Sequence, residues 1–324
     1  MRKDRLLNLL KVGLSLTLLA ILLSQVGWQQ TLETLGKAKL PHLAVAFVLY
    51  LVGIVVRAYR WRILLNALKI DIPLARLTTL YFVGTFFNNI LPTGIGGDVV
   101  RVYELSKQSK RPMDSVGTVL LDRATGLLVL FLMALLALPF SYRLITPSIA
   151  AVILLLCLGS WAGLGLALRR DWLERWGFLR IMARIKQLRE LYESVYACGP
   201  RAIGGALVVS FVFNVLLMAV NYLIALSLGV EISLSYFLLF IPLISFLLVL
   251  PISLSGLGVR EGGYVYLFAQ AGVSAPLALA MSLLFYALNV ATGLIGGVLY
   301  AFEGARGYLE KKSDERRSTN ARDK

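Results

Sequence analysis

The chain has almost nothing with which to hold a metal or build a disulfide framework: one histidine, His42, and two cysteines, Cys157 and Cys198, in 324 residues. Cys157 lies in an apolar run and Cys198 beside a basic one, a placement that indicates neither a disulfide pair nor a metal knuckle. Charge is scarce as well. Only 16% of residues are Asp, Glu, Lys or Arg, where soluble domains carry roughly a quarter, so an ordinary soluble fold is excluded. No Walker loop, Gly-x-Ser-x-Gly elbow or zinc signature occurs, which leaves no ATP site and no histidine-supported nucleophile. The glycines Gly94, Gly96 and Gly97 do not form a dinucleotide fingerprint, because they follow an apolar helical run and lack the spacing. No cofactor and no metal is expected.

What the chain has in abundance is hydrocarbon: 58% of its residues are hydrophobic and its mean hydropathy is +0.76. That composition belongs to an integral membrane protein. The net charge of +15 comes from basic clusters between apolar runs, the pattern of cytoplasmic loops, which argues against nucleic acid as a partner. The opening MRKDR followed by an apolar run resembles a signal peptide, but the run is too long and lacks a small-residue cleavage site. It reads as a first membrane span, about Leu6 to Val26. Runs close to the ~20 residues that cross a bilayer predict further spans at about Leu40 to Leu65, Val116 to Phe140, Pro147 to Leu168, Ile203 to Leu228 and Pro276 to Phe302.

Two shorter apolar runs, Leu77 to Leu91 and Leu234 to Leu250, each end at a proline- and glycine-interrupted motif. The motifs are LPTGIGGDVVR, Leu91 to Arg101, and LPISLSGLGVR, Leu250 to Arg260. Pro92 pairs with Pro251, Gly97 with Gly256 and Arg101 with Arg260, all at an offset of 159 residues. A second echo follows, Ala124-Thr125-Gly126-Leu127 against Ala291-Thr292-Gly293-Leu294. Paired breaks in two halves of a membrane protein point to a binding site between structural repeats near the midplane. The basic residues place both termini in the cytoplasm, with each short run as one limb of a re-entrant hairpin, the first entering from inside and the second from outside. The expected fold class is therefore all-α: a polytopic membrane protein of about six full transmembrane helices plus two re-entrant helical hairpins in an inverted repeat. The expected organisation is one transmembrane domain over residues 1–304, with a first repeat over about 40–168, a second over about 203–304 and a disordered cytoplasmic tail over 305–324. An amphipathic helix over about 169–200, with an apolar stripe opposite a row of Arg and Lys, is expected at the inner membrane surface.

Ionisable residues inside a membrane are costly and are kept for a purpose. Asp98 and Arg101 flank the first break, Arg260 and Glu261 the second, and Asp122 with Arg123 opens the next span. Gly96 and Gly97, like Gly256 and Gly258, allow close approach of backbone to a ligand. The free amides of a returning helix favour an anion, and an arginine one turn further favours phosphate. Asn88, Asn89 and Asn289 add neutral hydrogen bonds. The plainer alternatives are that Asp98 and Arg101 only neutralise each other, that Asp122 and Arg123 sit in the headgroup layer, and that the asparagines serve helix packing. Arg57 and Arg60 read as cations snorkelling from the end of a span.

The segments FFNNILPTGIGGDVVRVYELSK, Phe86 to Lys107, and LPISLSGLGVREGG, Leu250 to Gly263, resemble the lysylphosphatidylglycerol synthase transmembrane region family, the flippase-like part of the multiple peptide resistance factor. The resemblance runs to about Gly304. It implies a multi-pass plasma-membrane (inner-membrane) protein associated with moving lipid headgroups, or polyprenyl-linked glycans, across the bilayer. By position, Asn89, Pro92, Gly96, Gly97, Asp98 and Arg101 match the first motif, and Pro251, Gly256, Gly258, Arg260 and Glu261 the second. The full synthase continues into a soluble aminoacyl-transferring domain, whereas this sequence has about twenty polar residues after its last span, so a stand-alone member without synthase activity is expected. The expected function is a flippase or transporter whose partners are membrane lipids, an anionic phospholipid or a polyprenyl-linked substrate. The alternative is a membrane-embedded enzyme or accessory subunit acting on such a lipid, and association with a second copy or a cell-envelope partner stays open.

Overall fold

The computed structural model describes residues 26, 28–91, 96–141, 146–170, 175, 185–249 and 256–322. Their regular elements are eleven helices: α1 Trp28–Gly36, α2 Leu40–Ala67, α3 Leu74–Ile90, α4 Gly96–Ser109, α5 Pro112–Ser141, α6 Pro147–Leu168, α7 Lys186–Ala197, α8 Gly199–Ser227, α9 Leu234–Val249, α10 Val259–Ala269 and α11 Ala275–Arg322. In hydrocarbon every backbone amide must find its partner within the segment, and a helix does this. Five of these helices are long and apolar enough to cross a membrane: α2, α5, α6, α8 and α11 over Ala275–Glu303. All five have proline in the first or second position, Pro41, Pro112, Pro147, Pro200 and Pro276, where its missing N–H would have no helical partner anyway. These spans match the apolar runs closely. The first expected span, Leu6 to Val26, lies outside the described residues except for Val26.

The two short runs form hairpins. Gly84 on α3 faces Gly97 on α4, and Arg76 reaches Glu104, so α3 and α4 run antiparallel. On α9 and α10, Ile244 packs on Gly263 and Phe240 on Phe268, again antiparallel. Neither hairpin is a continuous helix. The first break has a steric requirement: a Cβ on Gly97 would stand 1.9 Å from the Gly84 carbonyl oxygen, so the two limbs touch backbone to backbone. At the second break Gly256 and Gly258 both have φ of +81°, a conformation that favours glycine.

The repeats extend beyond the breaks. Leu68-Lys69-Ile70-Asp71-Ile72 after α2 corresponds to Leu228-Gly229-Val230-Glu231-Ile232 after α8. In both turns the amides of the first and third residues donate to one carbonyl, of Leu65 or Ala225, and φ is positive at Lys69 (58°) and Gly229 (73°). A left-handed non-glycine residue costs roughly 1–2 kcal/mol, against roughly 0.5–1 kcal/mol for glycine's extra backbone freedom. Lys69→Gly is therefore expected to leave the fold intact and raise the melting temperature slightly; a clear fall would contradict the assignment of this turn.

The corresponding helices α2 and α8 pack antiparallel along their whole length: Lys39 N donates to Ser227 O at 2.9 Å, Gly53 faces Phe213, and Ile63 faces Gly205. Equivalent helices that run in opposite directions place the two halves upside down relative to each other, as an inverted repeat requires. Other contacts obey the same exchange. Helix α3 packs on α11, with Phe82 against Gly296 and Asn89 against Asn289, and its counterpart α9 packs on α5, with Phe246 against Phe131.

Two expectations differ from what is seen. The tail expected to be disordered continues as helix to Arg322, in keeping with a run of Glu, Lys and Arg that are good helix formers and no proline to stop it. Of the expected surface helix, residues 171–174 and 176–184 lie outside the described set. In the part that is described, α7, Leu191 and Ser194 pack on Gly117 of α5, and Val195 joins the core beside Trp61 and Leu64. Of its apolar stripe, Leu191 and Val195 face the protein while Ile185 and Leu188 stay exposed. At the junction of α7 and α8, burial pushes the Cys198 thiol up to about 11, so it stays protonated and inert at neutral pH. Cys157 and Cys198 are both free.

Candidate functional site

Asp122, one turn before the Gly126 of the second echo, organises the first half. One carboxylate oxygen accepts from Arg60 Nε at 2.7 Å, and the other accepts from Arg101 Nη2 at 3.1 Å and from the Tyr81 hydroxyl. Arg101 also donates to Asp98 at 3.1 Å, and Asp98 in turn pairs with Arg123. The result is a continuous chain of alternating charge: Arg60, Asp122, Arg101, Asp98, Arg123. Arg60, Asp122 and Arg101 are all buried. Burying ions costs several kcal/mol each and is tolerated only where each one is paired and hydrogen-bonded. The geometry satisfies this: Arg60 Nη1 adds Ser210 at 3.0 Å, and the Arg101 guanidinium lies 4.2 Å from the Trp61 ring and 3.7 Å from the Tyr81 ring. Such stacking on aromatic faces suits a planar guanidinium.

The second half keeps a single pair. Glu261 is fully buried; one of its oxygens accepts from Arg260 Nη2 at 3.0 Å and the other from Gly258 N at 2.7 Å. This satisfies the amide ahead of α10, the half of a capping box that remains when the cap residue is glycine. Arg260 lies 4.2 Å from the Tyr286 ring. Across the repeat, Arg60 corresponds to Val220 and Tyr81 to Phe240, and around them the second hairpin packs an aromatic core of Phe237, Phe240, Tyr264 and Phe268. The ion network thus belongs to one half only.

Between the halves lies a cavity of about 350 Å³. Its cations are Arg57, Arg60, Arg123 and Arg260, its amides are Asn88, Asn89, Asn214 and Asn289, and no carboxylate lines it among the described residues. The tips of both hairpins reach it, the first through the asparagines and the second through Ser245 and Leu248. Counting the residues behind the wall, five arginines face three carboxylates, Asp98, Asp122 and Glu261, so the site carries a surplus of positive charge. The asparagines also fix the tip. Asn88 Oδ1 accepts from Gly97 N at 2.7 Å, Asn89 Nδ2 donates to Asn289 O at 3.3 Å, and Asn289 Nδ2 donates to Tyr50 Oη at 2.8 Å. The echoed glycines have a matching use: a Cβ on Gly126 would meet Arg60 at 2.8 Å, and one on Gly293 would meet Asn89 at 2.4 Å.

Of the residues singled out from the sequence, Asn88, Asn89, Arg123, Arg260 and Asn289 line the cavity. Asp98, Arg101, Asp122 and Glu261 stand behind it as counter-charges, and Gly96, Gly97, Gly256 and Gly258 build the hairpin ends. Pro92, like Pro251, lies outside the described residues. Arg101 differs from expectation: two carboxylates and two rings enclose it, so it supports the site without facing the cavity. Arg57 and Arg60 differ more. Arg60 lies seven residues before the end of a 28-residue helix, about 10 Å from its terminus, too deep to snorkel, and it turns inward to Asp122. Arg57, Tyr81, Trp61, Asn214 and Tyr286 were not singled out as site residues. One signal was available for the first: Gly53, Arg57, Arg60 and Trp61 fall on a single helical face.

The profile of the family described as "Lysylphosphatidylglycerol synthase TM region" matches residues 8–297. The chain belongs to this family. Relatives are named only as membrane proteins. The chain is 29% identical over 153 residues to UPF0104 membrane protein PH1989 of Pyrococcus horikoshii, a match covering 46% of this chain and 44% of that protein. Two proteins of Methanothermobacter thermautotrophicus, both named UPF0104 membrane protein, are 25% identical to it, over 79% of this chain and 83% of the relative in one case and 85% and 88% in the other. This family is membrane-embedded, and the five apolar helices fit that setting.

Proposed function

We propose that this protein carries an anionic lipid or lipid-linked substrate across the plasma membrane, binding its charged headgroup in the cavity between the two hairpins. The observation that carries this reading is a polar chamber at the interface of inverted halves, lined among the described residues by four arginines and no carboxylate. Planar guanidinium groups suit phosphate oxygens, and an interface between inverted repeats is where alternating access is built. Arg123 and Arg260, one from each half, would hold the headgroup. Asp98 and Glu261 would keep those two guanidinium groups aimed while the site is empty. Binding and movement account for these residues without a chemical step, so the protein is read as a carrier and not an enzyme, with both termini on the cytoplasmic side.

The test is headgroup exposure in vesicles reconstituted with purified protein and a fluorescent phosphatidylglycerol, read by quenching from outside. A hydrogen bond to a charged group is worth about 1.5–3 kcal/mol, so the double substitution Arg123→Gln with Arg260→Gln is expected to slow exposure at least ~10-fold. An unchanged rate would remove the proposal. A new lipid product found by mass spectrometry would favour the enzyme reading.

A further inference from the structure

Beside the arginine cavity lies a smaller chamber of about 120 Å³. Arg57, Phe213, Leu217 and Phe285 form walls of both spaces, so the two adjoin. The rest of the smaller chamber is hydrocarbon, from Leu49, Gly53, Leu216 and Val220, together with Tyr50, whose hydroxyl already accepts from Asn289. Its one charge among the described residues is Arg57. That guanidinium sits 5.1 Å from the centroids of both the Tyr81 and Phe213 rings. Its Nε is buried without a hydrogen-bond partner. Arg60, Arg123 and Arg260 each have a carboxylate, whereas Arg57 pairs with none among the described residues. An unneutralised cation between a polar cavity and an apolar chamber is matched by a molecule whose anionic group joins directly to hydrocarbon.

We infer that Arg57 binds the phosphate of an aliphatic phosphate ester and that the first carbons of the ester's chain fill the side chamber. This rests on the reading of the larger cavity as an anion site, and it narrows the substrate class. With a water-sized group occupying ~30 Å³, the chamber holds about four such groups, which is a short stem of methylenes. A glycerol-based lipid places carboxylic ester oxygens close to its phosphate. In this chamber the Tyr50 hydroxyl is the one donor besides Arg57 among the described lining residues, so most of those oxygens would lose water without gaining a donor, at about 1–3 kcal/mol each. The phosphate ester of a simple long-chain alcohol has no such oxygens, and its remaining chain extends beyond the chamber.

The experiment is a binding series on the full-length protein in nanodiscs, by calorimetry, using inorganic phosphate, glycerol phosphate and straight-chain alkyl phosphates from methyl to octyl. Each buried methylene is worth ~0.8 kcal/mol, or about fourfold in affinity. Affinity is expected to climb about fourfold per carbon up to about four carbons and then level off, with glycerol phosphate no tighter than methyl phosphate. Gly53→Ala supplies the control on location. A Cβ there meets the Phe213 ring at 3.5 Å, an ordinary contact, so it fits while taking up space in the chamber, and the plateau should move about one carbon shorter. A series that is flat from methyl onward, a rise that continues through octyl without a break, or a plateau unmoved by Gly53→Ala would overturn the inference while leaving the anion cavity standing. If neither inorganic phosphate nor any ester binds, both readings fall together.

Discussion

Asp122→Ala is expected to be among the most damaging single substitutions in this protein, costing about 3–5 kcal/mol, because it removes the shared counter-charge of two buried arginines, leaving Arg60 uncompensated and Arg101 with Asp98 alone. Arg60 loses a contact of 2.7 Å, Arg101 one of 3.1 Å, and the Tyr81 hydroxyl loses its acceptor. Tyr81 and Arg101 cannot turn to water, since both are buried and neither lines the cavity. Asp122→Asn keeps an acceptor and loses the charge, so it should fall between wild type and alanine. The measurement is thermal unfolding of the purified protein in detergent, with recovery of folded material as a second readout. An alanine variant that melts with the wild type would show that the network contributes nothing to the fold. Arg101→Ala should also be destabilising, since it strips Asp98 and Asp122 of a shared donor. Its effect should appear first in stability, whereas that of Arg260→Gln should appear first in headgroup movement.

The second large effect is expected at Gly97. Alanine there would place its Cβ 1.9 Å from the Gly84 carbonyl oxygen and 2.8 Å from the Asn88 side chain. Backbone cannot swing aside as a rotamer can, so the hairpin limbs must part, and the 2.7 Å hydrogen bond from Gly97 N to Asn88 would be lost with them. Overpacking a tight contact costs about 1–3 kcal/mol, sometimes more, and a lost buried hydrogen bond adds about 1 kcal/mol. Gly97→Ala should therefore destabilise by about 3 kcal/mol. Two neighbouring substitutions calibrate the result. Gly96→Ala meets Leu91 Cδ1 at 2.6 Å and Leu91 Cβ at 2.7 Å, of which only the first can rotate away, so it needs a smaller backbone shift than Gly97→Ala, and Gly159→Ala meets nothing within 4 Å. The expected order of melting temperatures is Gly159→Ala highest, then Gly96→Ala, then Gly97→Ala; a Gly97→Ala variant that melts with Gly159→Ala would rule out the backbone contact as the cause.

The spans and breaks were legible because they rest on local physics. An apolar run of bilayer length has few options besides a helix, and a proline-glycine interruption ending a run too short to cross has few options besides turning back. The placement of Asp98 beside Arg101 was legible for the same reason, being one helical turn. The long-range partners were not. Arg60 and Asp122 are separated by 62 residues, and only the packing of α2 against α5 decides that they meet. Basic residues near the end of an apolar run look alike whether they reach for headgroups or turn inward. Depth distinguishes them, and depth follows from where the helix ends, which for α2 is Ala67, two residues past the expected boundary. Arg101 was overvalued by the same route: its match to Arg260 across the repeat suggested equal roles, but the first half surrounds its arginine with two acids, and the second half leaves Arg260 at the cavity wall.

That inequality bears on energetics. If the halves were identical upside-down copies, trading their shapes would regenerate the same contacts with the chamber facing the opposite leaflet, and the two forms would be isoenergetic. Here the exchange would set an arginine-carboxylate lattice in one half against a greasy aromatic plug in the other, so under the proposed function the inward- and outward-facing forms would differ in free energy. Under the proposed carrier function, the empty protein would rest on one side of the bilayer by default, and work from the cargo or from a gradient would be needed to populate the other.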